Sequence, residues 1–457
     1  MNELAIICAS PVNETKEVNK DRPDERSFQT AKDCGFNIVM YPGSEVHTQW
    51  REYMSEALRI CKKLDLKLIC NSPILSYVRP YDERPEGAKE WPQSLVREFD
   101  SHEALCGWQF FDEPLFYNWN EPFQYYEKDA KGNNILIKCK NILSAYQNVK
   151  GVNPQKPVFM NQAFSYDDKW IGNHSSYLNY LDYYLQTFKS PFLSYDYYPI
   201  YCDYDSEGNV IHIDVNLQTF YAALETFSLN NSGKSFLAYC LCYRHKTGGR
   251  NYPYPTTEMM RFEAFNALAY GAQGIVFWYY RLKSQLKSSL PIGVNNSNGM
   301  FKTNAVYSDP ILTGPQTAPI GVMGEKTDIW YRVQSVISEI KQYNYIFYNC
   351  NLLQTSRNRG NGEEWIGPYG SVQSIKAMGR GVIISHIHNN GRKFVVIVSS
   401  DPFESQEIRI KYINNSYVDV GIATGPQTSI PDFPATPDSG VSKTLAAGGY
   451  YIIEYTN

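Results

Sequence analysis

The stretch WREYMSEALRICKKLDLKLIC, residues 50–70, carries the pattern that decides the fold, because a helical segment is followed directly by a strand. From Trp50 to Leu64 its apolar residues recur every three or four positions, which places them on one face of a helix. The short apolar run Leu66–Cys70 is typical of a strand that is covered on both faces. We therefore predict a repeating unit of strand and helix.

Apolar runs of this kind occur eight times in the first part of the chain. They are Leu4–Ala9, Asn37–Tyr41, Leu66–Cys70, Leu105–Phe111, Val158–Met160, Phe192–Tyr195, Phe236–Cys242 and Ile275–Trp278. Strands that alternate with helices form a parallel sheet, and eight such units are the number in a closed (β/α)8 barrel. We predict this TIM barrel for residues 1–345, with an open doubly wound sheet as the alternative.

Two details refine the barrel prediction. In the helix before the second run, Asp24 is placed to cap the first turn and Gly35 to end the last one. After the eighth run, a polar stretch from Lys283 to Lys326 is rich in Ser, Asn, Gly and Pro, which predicts a loop or lid on the functional face.

The pattern changes after about Tyr345, where helical periodicity ends. Short β-branched and aromatic runs follow, and turns such as Asn389–Gly391 separate them. The predicted strands are Gly381–His388, Lys393–Ser399, Glu407–Tyr412, Tyr417–Ile422 and Gly449–Tyr455. We predict a small all-β domain for residues 346–457, most simply a β-sandwich.

The composition limits the classes of function. Hydrophobic residues make up 43% of the chain and the formal net charge is −4, so a large core is expected and binding to nucleic acid is not. No apolar run reaches the roughly 18 residues of a membrane span. The first residues lack a basic segment before an apolar core, so no export signal is expected, and the compartment depends on whether the start was trimmed.

Aromatic residues make up 15% of the chain, and Tyr and Trp combine a flat apolar face with a polar group that suits sugar rings. The ten cysteines lie mostly in apolar runs and are expected to be buried thiols. Cys and His do not occur at zinc-site spacing, and His245 alone among the seven histidines follows a predicted strand. We therefore expect neither a metal nor a cofactor.

In a TIM barrel the chemistry lies at the carboxyl ends of the strands. The fourth run leads into GWQFFDEP, residues 107–114, where Glu113 is a candidate general acid among aromatic residues that would raise its pKa. The sixth leads into SYDYYP, residues 194–199, where Asp196 is a candidate second carboxylate or a buried aspartate bonded to backbone amides. The candidate substrate-binding residues are Tyr41, Asn71, Asp112, Asn161, Tyr198, His245 and Trp278.

The seventh run ends in YCLCYRH, residues 239–245, which contains no acid. The next carboxylate is Glu258, at the start of the following helix, and it is a third catalytic candidate. A glutamate in a first helical turn is also explained by a favourable interaction with the helix dipole. The second carboxylate thus stays open between Asp196 and Glu258.

These motifs together resemble clan A glycoside hydrolases, especially family 42 β-galactosidase-like barrels of bacterial origin. The resemblance covers roughly residues 1–345 and includes RFEAFNALAYGAQGIVFWY, residues 261–279, besides the two strand-end motifs. It implies a retaining glycosidase with Glu113 as the acid/base residue. The sequence departs from the family pattern at Asp112, where the clan has Asn, and at strand seven, where the nucleophilic Glu is missing.

The leading hypothesis is a glycoside hydrolase that cleaves an oligo- or polysaccharide with two carboxylates, one of them Glu113. The alternative is a catalytically inactive glycan-binding barrel, and it is based on the missing acid of strand seven. A metal-dependent barrel enzyme is disfavoured because it needs several His, Asp and Glu side chains that converge at strand ends.

Overall fold

The structure is a computed structural model that describes residues 3–11, 13–14, 21–42, 50–71, 91–113, 126–128, 134–136, 146–164, 174–205, 209–247, 250–281, 318–320, 325–413, 417–423 and 440–455. Most of the predicted insertion Lys283–Lys326 lies outside these residues, as does Cys139, one of the ten cysteines.

The strands are β1 Ala5–Ala9, β2 Asn13–Glu14, β3 Asp21–Arg22, β4 Ile38–Pro42, β5 Lys67–Asn71, β6 Leu105–Asp112, β7 Tyr126–Lys128, β8 Asn134–Leu136, β9 Val158–Ala163, β10 Leu193–Asp196, β11 Ile200–Tyr204, β12 Val210–Val215, β13 Phe236–Leu241, β14 His245–Thr247, β15 Arg250–Tyr252, β16 Gly274–Trp278, β17 Asn351–Asn358, β18 Glu364–Tyr369, β19 Val372–Ala377, β20 Val382–Asn389, β21 Arg392–Ser399, β22 Gln406–Tyr412, β23 Tyr417–Ile422, β24 Val441–Leu445 and β25 Tyr450–Tyr455. The helices are α1 Glu25–Cys34, α2 Trp50–Lys63, α3 Trp91–Phe99, α4 146–152, α5 His174–Phe188, α6 Leu217–Phe227, α7 Leu229–Ser232, α8 Thr257–Ala269, α9 Asp328–Gln342 and α10 Asn344–Phe347.

Eight parallel strands close into a barrel in the order β1-β16-β13-β10-β9-β6-β5-β4. Each of the eight predicted runs supplies one strand, so the predicted TIM barrel is confirmed and the open sheet is wrong. The caps of α1 are confirmed as well: Ser27 N donates to Asp24 Oδ1 over 2.9 Å, and Gly35 ends the helix with φ +107°, a conformation that glycine adopts easily.

The barrel strands present their side chains to two separate layers. Residues such as Met40, Phe159, Leu237 and Tyr239 point inward and form a cluster that fills the barrel. Their neighbours in sequence, such as Val39 and Met160, point outward and pack against the helices. This alternation decides which strand-end residues can reach the barrel mouth.

A four-stranded antiparallel sheet, not predicted from the sequence, is built from segments that follow the sixth and seventh barrel strands. Its order is β12-β11-β15-β14. His245 on β14 lies opposite Tyr252 on β15, so this sheet brings both rings toward the strand-seven side of the mouth.

The C-terminal residues form two antiparallel sheets, with the orders β17-β20-β21-β25-β23 and β18-β19-β22-β24, which confirms the predicted β-sandwich. A shared apolar core lies between them and includes Ile375, Ile384, Ile397 and Ile408. The five predicted strands are present, and β17, β18, β19 and β24 are additional. The division between residues 345 and 346 stays a prediction.

The sandwich packs on the barrel through helices α6 and α8. The rings of Phe265 and Tyr450 stack with centroids 4.1 Å apart. The Tyr221 hydroxyl lies 2.8 Å from Ser400 Oγ and 3.2 Å from Asn266 Oδ1, and all three side chains are buried. A buried polar group thus joins the two parts of the chain.

We expect Tyr221→Phe to lower the free energy of unfolding by about 1–2 kcal/mol, because it removes a buried hydrogen bond and leaves its partners unsatisfied. Equilibrium denaturation measures this, and Tyr331→Phe is the matched control because Tyr331 is 58% exposed. Equal stability of the two variants would show that the hydroxyl contributes nothing at this contact.

The nine cysteines in the described residues are free thiols, and eight of them are buried. Within the same residues, no helix has the length and apolar character needed to cross a bilayer.

Candidate active site

Three carboxyl side chains meet at the carboxyl ends of the fourth, fifth and sixth barrel strands. Asp112 ends β6 and lies opposite Asn161 on β9, while Asp196 ends β10 and lies opposite Ala163 on β9. Glu113 follows directly after β6, and its backbone N–H donates to the Asn161 carbonyl over 2.9 Å. The parallel register therefore brings together residues that are far apart in the sequence. We call Asp112, Glu113 and Asp196 the acid cluster.

Asn161 holds two members of the acid cluster with one amide group. Its Nδ2 donates to Asp112 Oδ1 over 3.1 Å and to Asp196 Oδ1 over 2.8 Å. Its Oδ1 accepts from Ser194 Oγ at 2.9 Å, which determines the orientation of the amide. Because Asn161 is 1% exposed, these bonds are shielded from water and position both carboxylates firmly.

Glu113 has two unusual features. Its backbone φ is +43°, in the left-handed region that few residues other than glycine adopt. Its carboxyl group is in hydrogen-bond contact with that of Asp196. Such backbone strain is concentrated at functional sites, where the surrounding structure maintains it.

The acid cluster retains protons near neutral pH. Burial raises the pKa of Asp112 to about 6, although the Asn161 hydrogen bond lowers it. Burial, together with the charge of Asp112, raises the pKa of Asp196 to about 7. Burial raises the pKa of Glu113 well above its usual range, and the charges of Asp196 and Asp112 add to this. Glu113 is therefore the member that stays protonated, and it donates to Asp196.

A group of stacked rings lies beside the acid cluster, and we call it the aromatic wall. It consists of Tyr198, Tyr243, His245, Tyr252 and Trp278. The rings of Tyr198 and Trp278 stack with centroids 5.8 Å apart and planes inclined by 20°. His245 lies between Tyr243 and Tyr252, with a centroid distance of 4.5 Å to each ring. Flat apolar faces with polar edges suit the faces of sugar rings.

His245 is neutral in this wall because burial lowers its pKa to about 3. Its Nδ1 lies 3.4 Å from the Tyr243 carbonyl, which can only accept, so Nδ1 carries the proton. Nε2 is then an acceptor, and it is buried without a partner in the part of the chain that the structure describes. The predicted substrate-binding residues Tyr198, His245 and Trp278 thus lie together.

The predicted residues Tyr41 and Asn71 lie on different sides of the barrel wall. Tyr41 is fully buried in the outer layer, where its ring lies 6.5 Å from that of Phe28 on α1. Its neighbour Met40 takes the inward position, so the prediction that Tyr41 binds substrate is wrong. Asn71 ends β5, and its Nδ2 lies 3.8 Å from Met40 Sδ.

Glu258 does not join the acid cluster. It lies in the first turn of α8, where the helix dipole favours a carboxylate. Its backbone carbonyl oxygen packs closely against Gly448 of the sandwich. A Cβ atom added to this glycine would lie only 2.2 Å from that oxygen. Its charge is not among those that shift the pKa values of the acid cluster. The structure therefore places Glu258 beside the sandwich and outside the acid cluster, and its catalytic role stays a prediction.

A different acid, Glu263, lies on the same helix and was not among the predicted residues. Glu263 is 5% exposed, and its Oε2 accepts from Leu241 N at 2.8 Å, at the end of the seventh barrel strand. Burial raises the pKa of Glu263 to about 8, against hydrogen bonds from Leu241 N–H and the Cys240 thiol that lower it. Its position on the inner face of the helix, five residues after Glu258, was the available signal.

We expect Glu263→Gln to remove part of the pH dependence of stability. A glutamate whose pKa is raised on folding contributes stability below its unfolded pKa of 4.5 and loses it as the pH rises through about 8. Glutamine still accepts from Leu241 N but cannot ionise. Melting temperatures measured from pH 5 to pH 8.5 should therefore fall less steeply for the variant, and parallel curves would contradict this.

Gln109 and Tyr239 were also missed. Both lie on the inner face of the barrel near the acid cluster, and Gln109 Nε2 lies 3.4 Å from Asp112 Oδ1. Asp112 and Asp196 both influence the pKa of Tyr239. Among the described residues, no group of three His, Cys, Asp or Glu side chains is arranged to hold a metal ion.

Solved structures with a similar fold include a catalytic mutant of a GH42 β-galactosidase from G. stearothermophilus. It is 10% identical, with a TM-score of 0.57 over 100% of this chain and 99% of that one. A β-galactosidase from Bacillus circulans sp. alkalophilus is 11% identical, with a TM-score of 0.54 over 100% of both chains. No family model and no curated protein sequence matches this chain. The chain therefore has the fold of these glycosidases, a TIM barrel followed by a β-sandwich.

Proposed function

We propose that the protein is a glycoside hydrolase that acts on an oligo- or polysaccharide, with Glu113 as the proton donor. The observation that carries this proposal is the convergence of the buried Asp112, Glu113 and Asp196 at the carboxyl ends of neighbouring barrel strands. A general acid has to hold its proton at the working pH, and burial together with two neighbouring carboxylates keeps the pKa of Glu113 high.

In this proposal Glu113 protonates the oxygen of the glycosidic bond as that bond breaks. The anomeric carbon then develops positive charge, as in an oxocarbenium ion, and water adds to this carbon while giving a proton back to the Glu113 carboxylate. Asp112 has the lowest pKa of the acid cluster and is ionised at neutral pH, so its carboxylate stabilises this charge. Tyr198 and Trp278 pack against the sugar ring and orient it.

Asp196 acts in this scheme as the partner that keeps Glu113 protonated. Retaining glycosidases hold their two carboxyl groups about 5–5.5 Å apart, and inverting ones about 6.5–9.5 Å, to leave space for the reacting groups. Carboxyl groups in hydrogen-bond contact leave no such space. We therefore propose that Asp196 keeps the proton on Glu113 and does not attack the anomeric carbon.

A glycan-binding barrel without hydrolysis is the second candidate. The seventh strand, where the resemblance places a nucleophilic glutamate, carries Leu241 and Tyr243 on its inner face, and Glu263 behind it accepts from the backbone. A purely binding protein would keep the aromatic wall and would have no need of an attacking group.

The experiment is a hydrolysis screen of the purified chain with p-nitrophenyl glycosides of both anomers and with soluble polysaccharides. Turnover above about 1 s⁻¹, near the low end of typical enzymes, supports the hydrolase. Calorimetric titration with the same sugars runs in parallel. Saturable binding without release of product would replace the hydrolase with the glycan-binding barrel.

A further inference from the structure

The inner layer of the barrel mouth gathers three carboxyl groups, and no positive charge of the described residues is paired with them. Among the described residues, the charges that act on the acid cluster come from carboxylates. No lysine or arginine of the described residues forms an ion pair with Asp112, Glu113 or Asp196, although ion pairs are frequent elsewhere in those residues. The hydroxyl groups of Tyr198 and Tyr239, which lie near, are neutral donors. Buried charges of one sign are costly unless a partner compensates them.

Two buried side chains, one beside the acid cluster and one in the aromatic wall, have polar atoms without partners in the described part of the chain, and both atoms are acceptors. Gln109 is 1% exposed, and its Nε2 lies toward Asp112 while Oε1 has no donor. His245 is 2% exposed, and its Nε2 is the unprotonated nitrogen of the ring. Because buried acceptors normally have donors, these two atoms need donors that the described residues do not give them.

We infer that the sugar bound at this mouth is an amino sugar with a free ammonium group. This inference rests on the proposed function, because that function makes the ligand a glycan and so places the missing positive charge on a sugar ring. An ammonium group supplies three donors and one positive charge, which the acid cluster and the two acceptors lack. Neutral sugars supply hydroxyl donors but leave the charge of Asp112 without compensation.

The aromatic wall fits the same ligand. Ammonium groups are attracted to the faces of Trp and Tyr rings, and Tyr198, Trp278 and the rings around His245 line the mouth next to the carboxylates. An acetylated amine would lose both the charge and two of its three donors. The inference therefore separates free amino sugars from their N-acetyl forms as well as from neutral sugars.

The test compares three p-nitrophenyl glycosides that differ at one position, carrying a free 2-amino, a 2-hydroxyl or a 2-acetamido group. Glucose and galactose series of both anomers are measured at neutral pH, where Asp112 is ionised and the amine is still largely charged. Charged hydrogen bonds are about twice as strong as neutral ones, so kcat/KM should be about tenfold or more higher for the amino sugar than for its counterparts. Equal or better hydrolysis of the hydroxyl or acetamido glycosides overturns the inference and leaves the proposed hydrolase intact.

Asp112→Asn tests the charge at almost constant size. We expect the ratio of kcat/KM between the amino and hydroxyl glycosides to fall about tenfold, as expected from losing one charged hydrogen bond. The readout is this ratio, whatever happens to the rate itself. Asp182→Asn, on the exposed side of α5, is the matched control and should leave the ratio unchanged. A ratio that Asp112→Asn does not change contradicts the role of this carboxylate.

If no glycoside is hydrolysed, the proposal of a hydrolase is rejected. The preference for an amino sugar is then tested by binding measurements alone. Titration calorimetry compares a β-1,4-linked glucosamine tetramer with the matching glucose and N-acetylglucosamine tetramers. Binding that is about tenfold tighter for the glucosamine tetramer, the effect of one charged hydrogen bond, supports an amino-sugar site in a glycan-binding barrel. No binding of that tetramer, or no preference for it, overturns the inference.

Discussion

Replacing Glu113 with glutamine should lower turnover about 10³-fold, because a positioned proton donor contributes roughly 10²–10⁴-fold to the rate. Glutamine keeps the size and the hydrogen-bonding capacity of the side chain, but it has no acidic proton for the leaving oxygen. Turnover of whichever glycoside the wild-type protein hydrolyses is the measurement. Glu52→Gln, exposed on α2, is the matched control and should leave turnover unchanged.

The loss should depend on the leaving group. A natural alcohol needs a proton as the glycosidic bond breaks, whereas dinitrophenolate is stable as an anion and leaves without one. The Glu113→Gln variant should therefore recover most of its rate with a dinitrophenyl glycoside. An equal loss on both substrates would assign Glu113 to binding or to folding, and an unchanged rate on both would remove it from the mechanism.

The same substitution should stabilise the fold at alkaline pH. The pKa of Glu113 is raised on folding, so the native state binds a proton that the unfolded state has lost, and stability falls as the pH rises. Glutamine removes this dependence along with the repulsion from Asp196. A higher melting temperature at pH 8 together with lost turnover would show that this carboxyl is retained for function at a cost in stability.

The barrel could be predicted from the sequence because its strands are covered on both sides. The six residues of β13 are all buried, and the strand reads as a continuous apolar run. The four sandwich strands that sequence analysis missed are partly exposed, as in β17, where only Leu352 and Asn358 are buried. Their polar residues resemble those of loops, and only pairing with neighbouring strands identifies them.

The positions of the acids could be predicted, but their mutual contact could not. Glu113 and Asp196 are adjacent because β9 aligns with β6 on one side and β10 on the other, and this register follows from packing of the whole barrel. The error at Tyr41 has a similar cause. Side chains of a short strand point alternately inward and outward. When every position is apolar, the sequence does not show which residues face the barrel interior.

Replacing Asp196 with asparagine should move the alkaline limb of the pH–rate profile to lower pH by one unit or more, because nearby charges shift a carboxyl pKa by about 1–3 units. In the wild type the negative charge of Asp196 helps to raise the pKa of Glu113. Asparagine can keep its Oδ1 toward Asn161 Nδ2, and its own Nδ2 then donates to Glu113. Both changes favour the ionised form of Glu113, which cannot act as an acid.

The expected consequence has a definite direction with pH. At pH 5 both proteins hold the proton on Glu113, and their kcat/KM values should be similar. Above neutral pH the variant should lose activity first, by about tenfold for each pH unit between the two limbs. Asp182→Asn should leave the profile unchanged. Profiles of kcat/KM report the pKa values of the free enzyme, so this measurement addresses Glu113 directly.

The outcome also separates the two roles that a carboxylate at position 196 can have. If Asp196 attacked the anomeric carbon, asparagine would abolish turnover at every pH, because an amide cannot replace a carboxylate nucleophile. If Asp196 keeps Glu113 protonated, as the contact between their carboxyl groups indicates, activity persists at acidic pH and only the limb moves. A uniform loss would therefore return Asp196 to the position of nucleophile and require the two carboxyl groups to separate when substrate binds.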